Sequence, residues 1–141
     1  MLVLNGIPGT GKTHLTRAAL RELIRVGADV LWLPDGQMID AIMGSFQYHN
    51  TAALMATYGH QSWLLIDDFG LSNRPLATLP FIDRIMDARW VGSEHGLRTL
   101  LTTNLNPGDM TDRTASRLED TRRVRAITID APDYRRNHGN S

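Results

Sequence analysis

Cysteine is absent from this chain, which excludes disulfides and any thiolate-held metal. No apolar run approaches membrane-spanning length. The first one, Leu2-Val3-Leu4, is short and lacks the basic lead-in of a secretory leader. A cytoplasmic protein without a membrane partner is the expectation. Net charge is also missing: fifteen basic side chains balance fifteen acidic ones, so the molecule as a whole has no bulk attraction for a polyanion. Lysine is almost lacking, and Lys12 stands alone beside fourteen arginines. Between Arg25 and Arg74 there is neither lysine nor arginine. Half the arginines (Arg113, Arg117, Arg122, Arg123, Arg125, Arg135 and Arg136) crowd the last thirty residues, which points to an anion contact or a partner surface there.

What the chain does contain is Gly6-Ile7-Pro8-Gly9-Thr10-Gly11-Lys12-Thr13, a full match to G-x-x-x-x-G-K-[ST]. An apolar run precedes it, and residues 15–26 follow with helical spacing. A strand, a glycine-rich turn and a helix N-terminus form the context in which backbone N–H groups curl around phosphate oxygens. Gly6, Pro8, Gly9, Thr10, Gly11, Lys12, Thr13 and His14 are the expected nucleotide-binding residues. Lys12 brings a point charge to the β/γ-phosphates and Thr13 offers a hydroxyl to Mg²⁺. ATP with Mg²⁺ is the expected ligand. A chance Gly-Lys-Thr in a surface turn would lack the flanking strand and helix.

At 141 residues the chain is expected to be one domain, 1–141. Strands are expected at 2–5, 29–33, 63–66, 98–103 and 124–130, and helices at 13–26, 38–46, 51–58, 79–90 and 110–120. Gly27 closes the first helix, and Pro34-Asp35-Gly36 ends the second strand. The first helix is expected to bury Leu15, Ala19, Leu23 and Val26, and the second a stripe of Met38, Ile42, Met43 and Phe46. Trp63-Leu64-Leu65-Ile66 is a continuous apolar run, as in a central parallel strand covered on both faces. The alternation predicts an α/β fold: a five-stranded parallel sheet between helical layers.

Asp67, at the end of that apolar run, suits the carboxylate that holds Mg²⁺ in phosphate-loop proteins. Asp68 follows where an acid can polarise the attacking water, although Asp reaches less far than Glu. The bland reading is that the pair caps the strand. Asn104, after Thr102-Thr103, can hydrogen-bond a γ-phosphate and the attacking water; alone it is ordinary turn chemistry. Arg117, with Arg113 one helical turn before it, reads either as a solvated basic face or as an arginine supplied to a neighbour's γ-phosphate. The five histidines (His14, His49, His60, His95 and His138) show no metal-ligand spacing, and His14 is expected to pack.

The order GIPGTGKTHL, WLLIDDFG, LLTTNL, DRTASRL and DAPDYR resembles the AAA+ ATPase domain of bacterial helicase loaders of the DnaC/DnaI type, and equally the related transposition ATPase IstB. The resemblance covers essentially the whole chain. It implies a three-layer αβα P-loop core without a C-terminal lid domain, which binds ATP–Mg²⁺ and assembles side by side. It gives Lys12 and Thr13 the Walker A roles, Asp67 and Asp68 Walker B, Asn104 the first sensor and Arg117 the arginine finger in trans. A replicative helicase or a transposition complex is the implied partner. Departures are also visible. Family members carry an N-terminal helical extension, whereas the first strand here starts at residue 2, and no second sensor can be placed. Residues 37–61, where the family can face single-stranded DNA, hold no lysine or arginine. Arg122, Arg123 and Arg125 are the better candidates for DNA contact, while burial is expected for Phe46, Tyr48 and Tyr58. Two rival expectations are a nucleotide-gated adaptor with little turnover and a small-molecule kinase of the P-loop class.

Overall fold

The computed structural model describes residues 1–70 and 74–133. Tyr134, Arg135, Arg136 and His138 lie outside the described residues. Five parallel strands form one sheet in the order β2-β3-β4-β1-β5: β1 is Leu2–Asn5, β2 Val30–Pro34, β3 Trp63–Phe69, β4 Arg98–Thr103 and β5 Arg125–Thr128. The helices are α1 (Lys12–Arg25), α2 (Asp35–Tyr48), α3 (Thr51–His60), α4 (Leu79–Gly92) and α5 (Asp112–Leu118). The expected α/β architecture is therefore the observed one. Among the described residues, no helix is long and apolar enough to cross a membrane.

Strand side chains alternate between two apolar layers, as the pleat requires. Val3, Leu33, Leu64, Ile66 and Leu101 join one core with Met38, Ile39, Ile42, Tyr58, Ile82, Ile85 and Met86 from α2, α3 and α4. Leu4, Leu65 and Leu100 join the other, under Ala19, Leu20 and Leu23 of α1. Fully buried Leu64, Leu65 and Ile66 explain the unbroken apolar run in β3.

Several expected faces are corrected by the packing. In α1, Leu15 and Val26 are 49% and 59% exposed, and Thr16 and Leu20 point inward instead. The helix starts at Lys12, and its inner face is set by the sheet rather than by the apolar pattern alone. In α2 the stripe is core, but Ile39 replaces the 40%-exposed Met43. The second strand ends at Pro34 as expected; Pro34 is also the N-cap of α2, which begins at once with Asp35, buried and salt-bridged to Arg74. Tyr48 is 73% exposed at the end of α2, against the expected burial. Tyr58 is buried, and Phe46 packs on Phe81 with ring centroids 5.0 Å apart.

Arg89 is wholly buried in α4. Its Nε donates to Thr99 Oγ1 at 2.9 Å, and its other nitrogens donate to the carbonyl oxygens of Gly59, Gln61 and Arg98. One guanidinium thus ties α4 to the ends of α3 and β4. Burial without a carboxylate partner pushes its pKa down to about 10.

Candidate nucleotide-binding site

The sheet order puts β4 between the glycine-rich strand β1 and the acidic strand β3. The C-terminal ends of all three therefore open on the same edge, where parallel α/β sheets receive ligands. The loop 6–11 leaves β1 and enters α1 at Gly11, whose φ of 90° lies in the left-handed region. The N-cap of α1 is Gly11, which has no side chain to offer the first N–H groups of the helix, the groups that bind anions at such termini. Lys12 is 4% exposed, and its Nζ donates to Gly6 O at 2.6 Å and Ile7 O at 2.8 Å. The ammonium thus lies under its own loop. Gly9, with φ of 82°, packs so closely on Asp133 that an added Cβ would collide with that carboxylate.

Asp67 is 3% exposed, and its Oδ1 accepts from Thr13 Oγ1 at 3.2 Å and from Thr102 Oγ1 at 2.7 Å. Among the described residues, Oδ2 accepts no hydrogen bond. Thr13 and Asp67, 54 residues apart in sequence, are thus hydrogen-bonded to each other. The pairing register of β3 with β4 shifts between Ile66 and Phe69, and Asp68 takes a φ of 57°. This bulge lets Asp67 stay buried while Asp68 lines the cavity beside the loop. Asp tolerates the left-handed region better than most residues, though at a cost in strain. The Asp68 N–H donates to Thr102 Oγ1 at 2.8 Å, which fixes the bulge.

The cavity has a volume of about 870 Å³ and is lined by Pro8–Leu15 of the loop and α1 together with Arg17, Asp68, Asn104, Ala131 and Pro132. Such a volume suits a small-molecule ligand of nucleotide size. Asn104 Oδ1 is buried and, among the described residues, has no hydrogen-bond partner. A buried acceptor without a partner is costly unless a ligand or water completes it. His14 is exposed on the cavity wall rather than packed, because its position in the first turn of α1 faces away from the sheet.

Arg117 does not line this cavity. Its Nε donates to Asp87 Oδ1 of α4 at 2.8 Å, and its guanidinium lies 4.3 Å from the Trp90 ring centre. Arg113 is salt-bridged to the other oxygen of Asp87. Burial raises the Asp87 pKa, but the hydrogen bonds from Arg117 and Arg113 outweigh it, so the carboxyl sits below its ordinary value. The candidate DNA contacts are partly engaged inside the chain. Arg122 pairs with Asp120 at 3.0 Å, Arg123 pairs with Glu94 and stacks on Trp90 at 3.7 Å, and Arg125 is exposed on β5.

Sequence reasoning missed Thr102 as the support of Asp67, Asp133 as the neighbour of Gly9, and Asp87 with Trp90 as the seat of Arg117. Thr102 and Asp133 fall within the motifs LLTTNL and DAPDYR, so a signal existed for them. Nothing local in α4 marked Asp87 or Trp90.

No protein-family model matches the chain. It is 29% identical over 124 residues to the replicative helicase loader DnaC of Escherichia coli (strain K12), which covers 86% of this chain and 49% of that protein. The chain thus spans about half the length of the curated relatives it matches. Among solved structures it is similar to AMPPCP-bound DnaA from Aquifex aeolicus, with a TM-score of 0.77, 23% identity, and coverage of 92% of this chain and 39% of that one. It is also similar to the crystal structure of the DnaC helicase loader, with a TM-score of 0.73, 20% identity, and coverage of 91% and 77%. The fold is that of an AAA+ P-loop domain, and the resemblance to the DnaC-type loaders is borne out by these likenesses.

Proposed function

We propose that this chain binds ATP with Mg²⁺ and hydrolyses it slowly or only when assembled side by side, its nucleotide state controlling engagement of a replicative helicase. The observation that carries the reading is the 3.2 Å contact of Thr13 with Asp67 at a cavity that Asp68 and Asn104 also line. Likeness to a helicase loader over 86% of the chain supports the partner class. A transposition ATPase is the alternative for the same site.

The donor set fits Mg²⁺, a hard cation that takes carboxylate and hydroxyl oxygens. Thr13 Oγ1 and the Asp67 carboxylate would hold it, and Thr102 keeps Asp67 oriented. When bound, the ion supplies positive charge against the phosphate oxygens. The loop N–H groups and Lys12 cradle the phosphates, for which Lys12 must exchange its bonds to Gly6 O and Ile7 O for phosphate oxygens. Asp68 accepts the proton of the attacking water, and Asn104 orients that water against the γ-phosphate. Arg117 belongs to the site of an adjacent chain, where its charge stabilises the transferring group.

Measuring ATP affinity and turnover for the unaltered chain, Lys12→Ala and Asp68→Asn tests the reading. Lys12→Ala is expected to lose binding, and Asp68→Asn to bind ATP while losing turnover. Equal ATP–Mg²⁺ affinity in Lys12→Ala would falsify the assignment. The strained, short Asp68 favours one second reading, an adaptor that binds ATP and scarcely hydrolyses it. Turnover that stays negligible at high protein concentration and with a replicative helicase present would select that reading.

A further inference from the structure

We propose that Asp87 and Trp90 are positioning residues that present Arg117 to the nucleotide of an adjacent chain, an inference that rests on the role given to Arg117 above. A guanidinium offers three kinds of contact: the Nε–H edge, the flat faces, and the fork of Nη1 and Nη2 that matches two oxygens of a phosphate. Asp87 Oδ1 takes the Nε edge at 2.8 Å, and Trp90 covers a face at 4.3 Å. Among the described residues, the Nη fork makes no hydrogen bond. A carboxylate that withheld the arginine would engage that fork, whereas this one leaves it open. The arginine side chain is 32% exposed and lines a surface cavity of about 610 Å³ that also takes in Gly108 and Ser116.

The supports of this seat are themselves fixed. Asp87 is shared with Arg113 through its second oxygen, so the three groups together keep one positive charge to offer an anion. Arg123 stacks on the same indole at 3.7 Å. One turn earlier on α4, Asp83 accepts hydrogen bonds from Thr111 and Thr114, the N-cap and first turn of α5. Helix α5 has only seven residues, too few to hold its shape alone. Asp83, Asp87 and Trp90 recur at i, i+4 and i+7, so one stripe of α4 orients all of it.

Mixing separates donation from acceptance. Chains carrying Lys12→Ala serve as donors in excess over unaltered chains, and the stimulated ATP turnover is followed as donor concentration rises. The plateau reads positioning, and the half-stimulating concentration reads assembly. An Asp87→Asn donor is expected to lose about a hundredfold in plateau, the cost of misplacing a catalytic group by roughly an ångström, with the half-stimulating concentration unchanged. Asp87→Glu is expected to restore part of the plateau, and Trp90→Leu to lower it. Should the thermal transition show that Asp87→Asn does not fold, Trp90→Leu decides alone. Full stimulation by the Asp87→Asn and Trp90→Leu donors, with none from Arg117→Ala, overturns the positioning role and leaves that of Arg117 standing. Full stimulation by Arg117→Ala, or none from any donor, removes the underlying role and this inference with it.

Discussion

Thr102 stands between the two acidic residues of β3: its hydroxyl donates to Asp67 Oδ1 at 2.7 Å and accepts from the Asp68 N–H at 2.8 Å. One side chain on the neighbouring strand therefore orients the buried carboxylate and holds the bulge that exposes the next one. Thr102→Val keeps the shape and removes both bonds. Leaving buried partners unsatisfied costs about 1–3 kcal/mol of stability. With Asp67 in its proposed Mg²⁺-holding role, Thr102→Val is expected to lower Mg²⁺–nucleotide affinity by about 10–100-fold. Denaturant unfolding and calorimetric titration of ATP with and without Mg²⁺ check the two parts, and Thr102→Ser should recover most of both.

Asn104 has the opposite profile. Among the described residues its Oδ1 makes no hydrogen bond, so truncation forfeits nothing there that folding depends on. Asn104→Ala is expected to leave the thermal midpoint unchanged while single-turnover hydrolysis falls by about 10²–10³-fold, the usual effect of removing one aimed polar group from a transition state. ATP affinity should move little. A parallel fall in affinity and rate would instead make Asn104 a ground-state binding residue.

Gly9→Ala meets two obstacles at once. A φ of 82° is strained for a residue with a Cβ, at about 1–2 kcal/mol, and the new methyl would collide with the Asp133 carboxylate. ATP binding is expected to fall sharply, as read by fluorescent-nucleotide titration. Combining it with Asp133→Ala reopens the space but not the backbone strain, so recovery should be partial.

Acid should loosen the contact of α4 with α5. Asp87 is pushed up by burial and pulled down further by Arg117 and Arg113, so its folded-state pKa lies below the ordinary 3.8. The unfolded chain then binds more protons in that window, and the stabilisation is fully present above 3.8. It is lost as pH falls through the lowered folded value. Acid titration followed by tryptophan emission should show this loss in the unaltered chain and not in Asp87→Asn.

The glycine-rich loop proposed to bind phosphate is legible in the sequence because its residues are contiguous. Gly6, Gly9, Gly11, Lys12 and Thr13 lie within one loop and the start of α1, and their backbone needs are visible in the residue types themselves. The strands are legible for a similar reason: Leu64, Leu65 and Ile66 in β3 are buried on both faces and read as an apolar run. Helix faces are less so. Leu15 and Val26 fit an apolar spacing yet lie exposed, since which side of α1 faces inward depends on how the sheet twists beneath it. Tyr48 misleads for a like reason, because α2 runs past the edge of the core.

Composition and spacing alone were enough for an α/β chain with a glycine-rich loop between β1 and α1, since those signals arise from neighbours along the backbone. Folding decided the rest: that Thr102 supports Asp67, that a bulge turns Asp68 outward, that Arg89 is buried while Arg117 rests on Asp87 and Trp90. Fourteen arginines look alike in a string of letters. Arg74, Arg89, Arg117 and Arg123 are set apart by burial and by partners brought from tens of residues away, and those quantities exist only once the layers have closed.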